Sequence, residues 1–218
     1  MYKICIFDMD GTILNTLYSI ASFGNEALEH FGYEPIAPES YKRMVGDGAD
    51  MLMQRMLEHG GNPVSDCKVL RKKYDSLYEK QPLRLVQPYA GIEKAMGELK
   101  KMGVKLGVLS NKPDNMTKVL AEKLFPGVFD LVQGQRPDFH LKPDAKSLLY
   151  MINRLDGRLE ETLYCGDSEV DIQTGKNAGV FTVGVGWGFR ETDKLLNCGA
   201  DCVVDTAEEL YRLILGRV

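Results

Sequence analysis

Short apolar runs alternate with longer amphipathic segments along most of the chain. The runs have the length and β-rich composition of buried strands, and they predict strands at residues 3–7, 104–109, 128–132, 162–165, 180–185 and 201–204. The segments between them space their apolar residues as helices do, which predicts helices at residues 91–102, 114–124, 144–155, 168–178 and 207–215. Because strands and helices alternate, we expect an α/β fold with a parallel sheet and helices on both faces.

The stretch from residue 15 to about residue 85 breaks this alternation. It shows no convincing strand, and its apolar spacing predicts helices at residues 16–31, 49–59 and 65–80, joined by glycine- and proline-containing turns. We therefore expect an all-helical insert over residues 15–85, entered just after the first strand of a core formed by residues 1–14 and 86–218.

Composition narrows the classes of function. The 218 residues carry a net charge of −4, so we expect no nucleic-acid partner, which would need a basic stripe, and no membrane partner, which would need basic clusters or a long apolar span. The N-terminus lacks the basic leader of a signal peptide. The five cysteines are scattered, and Cys198 and Cys202, which could pair or bind metal, are better interpreted as reduced thiols. These features favour the cytoplasm.

Two acidic side chains follow the first predicted strand. Asp8 and Asp10 are two residues apart in an extended segment, so their carboxylates point the same way, beyond the strand end where open α/β sheets bind ligands. Their mutual repulsion requires a proton or a cation. Asp8 could attack phosphorus and form an acyl phosphate, and Asp10 could protonate the leaving group and then activate water. The alternative is a polar turn that Gly11 bends.

Polar residues at two later positions suit a phosphate. Ser110 and Asn111 follow the second long strand and could hold phosphoryl oxygens, although the same pair before Pro113 is also an ordinary helix cap. Lys142 precedes a predicted helix and could reach back to a phosphate, or it could be a solvated surface charge.

A second acidic pair follows the fourth predicted strand. Asp167 and Asp171 are four residues apart, so a helix beginning at Ser168 keeps them close together. A few carboxylates, with water and phosphate, are the ligands that Mg²⁺ prefers. Asp167 and Ser168 could also cap the helix, and that interpretation is compatible with metal binding.

In combination these motifs strongly resemble those of the haloacid dehalogenase superfamily. They occur in the family's order over essentially the whole chain: Asp8-x-Asp10-Gly11-Thr12, Ser110-Asn111, Lys142-Pro143 and Gly166-Asp167-Ser168-x-x-Asp171. The resemblance implies a Rossmann-like core with a helical cap inserted after the first motif. It also implies the roles of seven residues: Asp8 as nucleophile and Mg²⁺ ligand, Asp10 as acid and base with its backbone carbonyl on the metal, Ser110, Asn111 and Lys142 on phosphate, Asp167 on Mg²⁺, and Asp171 in support of the metal.

Two features refine the resemblance. The dehalogenases lack an acid at the position of Asp10, because their reaction needs no proton on an alkoxide leaving group, so this residue points to phosphoryl transfer. The segments Val45-Gly46-Asp47-Gly48-Ala49 and Gly186-Trp187-Gly188 resemble those of phosphoglycolate phosphatases. Asn15 stands where the family usually has an acid, but Asn15 and Thr16 are still good helix caps, so we expect the hinge into the cap to survive.

The resulting prediction is a Mg²⁺-dependent phosphatase that acts on a small phosphorylated metabolite, and phosphoglycolate is the best candidate for this substrate. We expect the turn Gly46-Asp47-Gly48 to contact this substrate, with Lys42 or Arg43 nearby; alternatively it only joins two helices. Trp187 could contact substrate or pack against the core.

Three other functions remain open: a phosphosugar mutase or a pyrophosphatase of the same superfamily, and a catalytically idle binding fold. Mutases carry a histidine and basic residues in the hinge and cap, whereas the cap histidines here, His30 and His59, fall near helix ends. The intact set of acids argues against an idle fold. The oligomeric state is not visible in the sequence.

Overall fold

The computed structural model describes residues 1–216. Its strands and helices follow in the order β1 (Ile4–Phe7), β2 (Leu14–Asn15), α1 (Leu17–His30), α2 (Ala49–His59), α3 (Cys67–Lys80), β3 (Gln87–Pro88), α4 (Ile92–Lys101), β4 (Lys105–Pro113), α5 (Asp114–Leu124), β5 (Leu131–Gln135), α6 (Lys146–Arg154), β6 (Thr162–Gly166), α7 (Glu169–Ala178), β7 (Phe181–Val185), α8 (Thr192–Asn197), β8 (Cys202–Val204) and α9 (Ala207–Ile214). Short 3-10 helices lie at Pro38–Arg43, Val64–Asp66 and Leu159–Glu161.

Six of these strands form one parallel sheet in the order β5-β4-β1-β6-β7-β8. Strand β1 lies near its centre, between β4 and β6, and Phe7 is opposite Val108 on one side and Cys165 on the other. The strands that follow β1 in the chain therefore extend the sheet first to one side and then to the other. The expected α/β fold with a parallel sheet is confirmed.

The two faces of the sheet are packed by different helices. Alternate residues of a strand point to opposite faces, so Cys5 and Phe7 join a cluster with residues of α4 and α9, whereas Ile4 and Ile6 join residues of α6. All four side chains are buried. Burial on both faces explains why the strand sequences are continuously apolar.

The helical stretch between β2 and β3 has a hydrophobic cluster that consists mainly of its own residues. Phe23 of α1 contacts Tyr74 and Tyr78 of α3, with ring centroids 6.5 and 4.9 Å apart, and Tyr41 is fully buried in the same cluster. This stretch leaves and re-enters the sheet region through a two-stranded antiparallel ribbon of β2 and β3. The division at residues 15 and 85 stays a prediction.

Several elements differ from those predicted. Strand β5 begins at Leu131 rather than at Val128, because Val128 and Phe129 pack into the core from a turn, and the Phe129 ring lies 5.3 Å from that of Phe125. The stretch that begins at residue 15 was expected to contain no strand. This expectation is wrong at Asn15 itself, which belongs to β2 and pairs with Gln87. Helix α8 and the 3-10 helices were not predicted; such short elements carry little periodic signal.

The helices of the described part, residues 1–216, are all too short or too polar to cross a membrane. The five cysteines are free, and Cys5 and Cys165 are buried.

Candidate active site

The first acidic pair lies at the carboxyl end of β1, near the centre of the sheet. Asp8 is 6% exposed, and its Oδ1 atom lies 2.7 Å from the ammonium of Lys142. Asp10 Oδ2 lies 2.9 Å from Lys112 Nζ. Asp10 Oδ1 is also buried, but it has no hydrogen-bond partner among the described residues. The chain turns at Gly11, whose φ of 85° suits glycine.

Lys142 connects three of the four motifs. Its buried ammonium donates hydrogen bonds to Asp8 and Asp171 at 2.7 and 2.6 Å, and it also contacts the Tyr164 hydroxyl at 3.1 Å and the Leu109 carbonyl at 3.2 Å. Burial alone would lower its pKa, but Asp171 and Asp8 outweigh that effect and raise it, so the ammonium stays charged. The alternative of a solvated lysine is wrong, since this residue is 5% exposed.

Asn111 joins the sheet edge to the segment before α2. Its Nδ2 donates to the Gly46 carbonyl at 2.9 Å and to the Lys142 carbonyl at 3.1 Å, and its Oδ1 accepts from the Lys142 backbone N–H at 2.8 Å. The Asn111 side chain is therefore not a helix cap, because α5 begins after Pro113 with no side-chain cap. Ser110 is buried beside it, and its hydroxyl accepts a bond from the Lys112 N–H at 3.3 Å.

The second acidic pair completes the site at the end of β6. Ser168 caps α7 in a reciprocal capping box with Asp171, as the capping interpretation predicts. The same Asp171 carboxylate bonds Lys142 through its other oxygen. Asp167 accepts a bond from the Phe189 N–H at 2.7 Å. A Cβ added at Gly11 or at Gly188 would lie 2.2 Å from an Asp167 atom, so both glycines are required for the close approach of this carboxylate.

The carboxylates of Asp8, Asp167 and Asp171 suit a metal ion. Each offers an oxygen, and these oxygens lie within 4.8 Å of one another. Burial, with Asp171 and Asp8 as further causes, raises the pKa of Asp167 well above its usual range. Burial likewise raises the pKa of Asp8 to about 7, against the opposing effect of Lys142. One ammonium thus does not offset three buried acids, and a divalent cation among them would supply the missing positive charge.

A cavity of about 320 Å³ lies over these residues. All seven residues predicted for the core site line it, as do Gly46 and Gly48: Asp8, Asp10, Ser110, Asn111, Lys142, Asp167 and Asp171. Its opposite wall is α3, which contributes Arg71, Tyr74, Asp75, Tyr78 and Glu79. These residues recur at the spacing of one helix face.

Some predicted residues are not part of the cavity wall. Asp47 pairs instead with Arg55 at 2.6 Å, and Lys42 pairs with Glu39 at 2.8 Å. Neither Lys42 nor Arg43 lines the cavity. Trp187 packs against the core and donates its indole N–H to the Thr12 carbonyl at 2.9 Å, which supports the packing interpretation.

Four polar residues of the site were missed from the sequence. Lys112 pairs with Asp10, and Tyr164 contacts Lys142. Arg190 binds Glu169 at 2.8 Å and donates to the backbone carbonyls of Lys42 and Val45. Arg71 is the one cation that α3 contributes to the cavity, within residues 1–216. Because Lys112 directly follows Ser110 and Asn111, its position beside a predicted motif could have indicated that it belongs to the site. The sequence around the other three residues gives no such indication.

Comparisons with known proteins agree with the fold. The model of the haloacid dehalogenase-like hydrolase family matches residues 5–185. The phosphoglycolate phosphatase of Chromobacterium violaceum is 29% identical over 97% of this chain and 96% of its own. That of Rhodospirillum rubrum is 30% identical over 94% of this chain and 88% of its own. A solved structure of a provisionally named phosphoglycolate phosphatase from Lactobacillus delbrueckii has a TM-score of 0.94 and 33% identity, and 99% of each chain is covered.

The α/β fold, with acidic side chains clustered at one edge of its sheet, is that of an enzyme. The chain belongs to the haloacid dehalogenase-like hydrolase family. The predicted resemblance and the predicted phosphatase class are confirmed by this match and by the relatives.

Proposed function

We propose that the protein is a Mg²⁺-dependent phosphomonoester hydrolase that forms a phosphorylated aspartate at Asp8. The observation that carries the proposal is the buried group formed by Asp8, Lys142, Asp167 and Asp171, which lies beneath a cavity at the carboxyl edge of the sheet. The structure thus brings together three kinds of group: the proposed nucleophile, a cation that could bind the phosphate, and acids that could bind a metal.

Each residue has a defined role in this reaction. A carboxylate oxygen of Asp8 attacks phosphorus, while Lys142, the Ser110 hydroxyl and the backbone N–H of Asn111 bind the phosphoryl oxygens. Asp10 gives a proton to the departing oxygen and later takes one from the attacking water.

The carboxylates of Asp8 and Asp167, with the backbone carbonyl of Asp10, would hold Mg²⁺, and Asp171 supports them. When bound, Mg²⁺ neutralises charge on the phosphate and orients it. The fit rests on the three clustered acids and on their unbalanced charge.

We propose a small phosphorylated metabolite as substrate, with phosphoglycolate as the first candidate. The names of the relatives support this choice. The cavity supports it as well, because Gly46, Gly48 and Arg71 line it. The Arg71 guanidinium is paired with Asp50 and Asp75, so a carboxylate on the leaving group would replace one of these partners. The helical stretch of residues 15–85 is proposed to act as the cap that shields the reaction from water. A cytoplasmic location is proposed with it, since the five cysteines are free.

No observation favours the mutase or the pyrophosphatase alternative. His30 and His59 lie at the ends of α1 and α2, and neither lines the cavity. An intact set of buried acids with Lys142 also argues against an idle fold.

The decisive experiment is a phosphate-release screen with and without Mg²⁺ over phosphoglycolate, pyrophosphate, sugar phosphates, nucleotides and p-nitrophenyl phosphate. We expect Mg²⁺-dependent release from monoesters, and phosphoglycolate among the best substrates. Isomerisation of a sugar phosphate without phosphate release would identify a mutase, and no turnover of any compound would contradict the proposed function.

A further inference from the structure

Lys112 lies between the proposed acid and the helical cap. It follows Asn111 at the end of β4, and its side chain is 7% exposed. On one side its ammonium lies 2.9 Å from Asp10 Oδ2. On the other side it lies 4.8 Å from the centre of the Tyr78 ring, a distance at which an ammonium is attracted to an aromatic face.

The ion pair with Lys112 leaves the two oxygens of Asp10 in different environments. Oδ2 is held by the ammonium, whereas Oδ1 is buried without a hydrogen-bond partner among residues 1–216. A buried carboxylate oxygen without a partner is costly, but Asp10 lines the cavity in which the substrate would lie. Since Oδ1 lacks a partner among these residues, the Lys112 ammonium is the side-chain contact that holds the carboxyl group of Asp10 in place.

The aromatic residues of α3 complete the surroundings of the ammonium. Tyr74 and Tyr78 are both buried and stack with ring centroids 5.9 Å apart. The Tyr78 ring covers the ammonium on the side of α3, and Asp10 is the acid that forms a salt bridge with Lys112. The strength of the ion pair consequently depends on the presence of the α3 wall, since a low dielectric strengthens it.

Lys112 differs from Lys142 in its contacts. Lys142 touches the nucleophile Asp8 and Asp171, which is the arrangement of a phosphate-binding cation. The salt bridge of Lys112 is to Asp10. Its position thus indicates an effect on the acid rather than on the phosphate.

We propose that Lys112 is a positioning residue that fixes the carboxyl group of Asp10 through Oδ2 for proton transfer, and that the Tyr78 ring on the cap keeps Lys112 in place. This inference rests on the proposed function. In the first step an Asp8 oxygen bonds to phosphorus as the ester P–O bond breaks, and the leaving oxygen takes the proton from the Asp10 carboxyl group. In the second step water attacks phosphorus, gives a proton to the Asp10 carboxylate and displaces Asp8, which releases inorganic phosphate.

The test compares two leaving groups in Lys112→Met, which keeps the length of the side chain and removes its charge. Rapid-quench measurements follow the first step for each substrate. The product measured is glycolate from phosphoglycolate and nitrophenol from p-nitrophenyl phosphate. The alkoxide of phosphoglycolate needs a proton, whereas nitrophenolate leaves readily without one. We expect the first step to slow about 100-fold for phosphoglycolate, the size of a general-acid effect, and less than about 5-fold for p-nitrophenyl phosphate.

The second step supplies another readout. Because Asp10 also activates water, Lys112→Met should release a burst of nitrophenol followed by slow turnover. Lys112→Arg keeps the charge and should recover part of the loss, and Tyr78→Leu should show the same dependence on the leaving group with a smaller effect. Lys101→Met removes an exposed lysine on α4 and serves as the matched control.

The outcomes separate the two proposals. If wild-type enzyme forms no phosphoenzyme with either substrate, the proposed function fails. If wild type is active but Lys112→Met slows both first steps equally, or raises KM for either substrate with kcat unchanged, Lys112 binds the substrate and the positioning role is overturned. Circular dichroism shows whether Lys112→Met folds. If it does not fold, Lys112→Arg and Tyr78→Leu are compared on the same two substrates. Equal effects on both substrates would then overturn the proposal.

Discussion

The metal-free protein should lose stability as the pH rises from about 4 to about 7, and Asp8 is a main cause. Burial raises the pKa of this carboxyl to about 7, from an ordinary value of 3.8. Well below pH 3.8, folded and unfolded chains both hold the proton, so the contribution to stability is fully present. As the pH rises toward 7 the unfolded chain has released its proton while the folded chain still holds it, and that contribution is lost.

The size of the effect follows from the same pKa. Each pH unit within this interval costs about 1.4 kcal/mol of the free energy of unfolding for one proton, so Asp8 alone accounts for about 4 kcal/mol between pH 4 and pH 7. Asp8 is 6% exposed, so solvent screens little of this effect. Mg²⁺ should reduce the dependence on pH, because a bound cation favours the charged carboxylates.

Urea denaturation at several pH values in the presence of a chelator measures this free energy. Asp8→Asn removes the titrating group, so the difference between wild type and Asp8→Asn isolates its contribution. Asp156→Asn is the matched control, since Asp156 is an exposed aspartate at a positive φ of 54° that asparagine also tolerates. Equal pH dependence in wild type and Asp8→Asn would refute the reasoning, as would a difference of the opposite sign.

Three further predictions concern catalysis. Asp8→Asn should abolish turnover and the phosphoenzyme while the fold persists; near-normal activity, with mass spectrometry excluding deamidation, would show that the covalent mechanism is wrong. Chelation should stop phosphate release and Mg²⁺ should restore it, whereas Ca²⁺ should inhibit because its larger, looser shell misplaces the nucleophile; full activity in excess chelator would contradict this. Gly48→Val should lower kcat/KM at least several-fold, because Gly48 lines the cavity with a φ of 87° and its added Cβ would lie 3.1 Å from Leu141. Gly61→Val is its control, since Gly61 also has a positive φ but no atom within 4 Å of an added Cβ; equal kinetics in the two variants would exclude the turn at Gly48 from recognition.

The sequence by itself determined the parallel α/β fold and the residues of the core motifs. Continuous apolar strands ending in Asp8, Ser110 and Asp167 are local signals, and parallel strands necessarily bring their carboxyl ends to one edge. The structure places all three beside the same cavity. The strand at residue 128 was misplaced because Phe129 is apolar in a turn as well as in a strand, and a pattern of polarity does not distinguish the two cases.

Tertiary structure alone decided which charges meet. Asp47, next to the glycines of the predicted turn, pairs with Arg55 instead of facing the cavity, whereas Arg71 of α3 lines it. Arg190 reaches backbone carbonyls near Val45, about 145 residues away in the chain. Such contacts depend on how α3 and the loop after β7 pack over the sheet. Sequence spacing fixes only neighbours within one strand or one helix, so the pairing of Lys112 with Asp10 became visible only when β1 and β4 lay side by side.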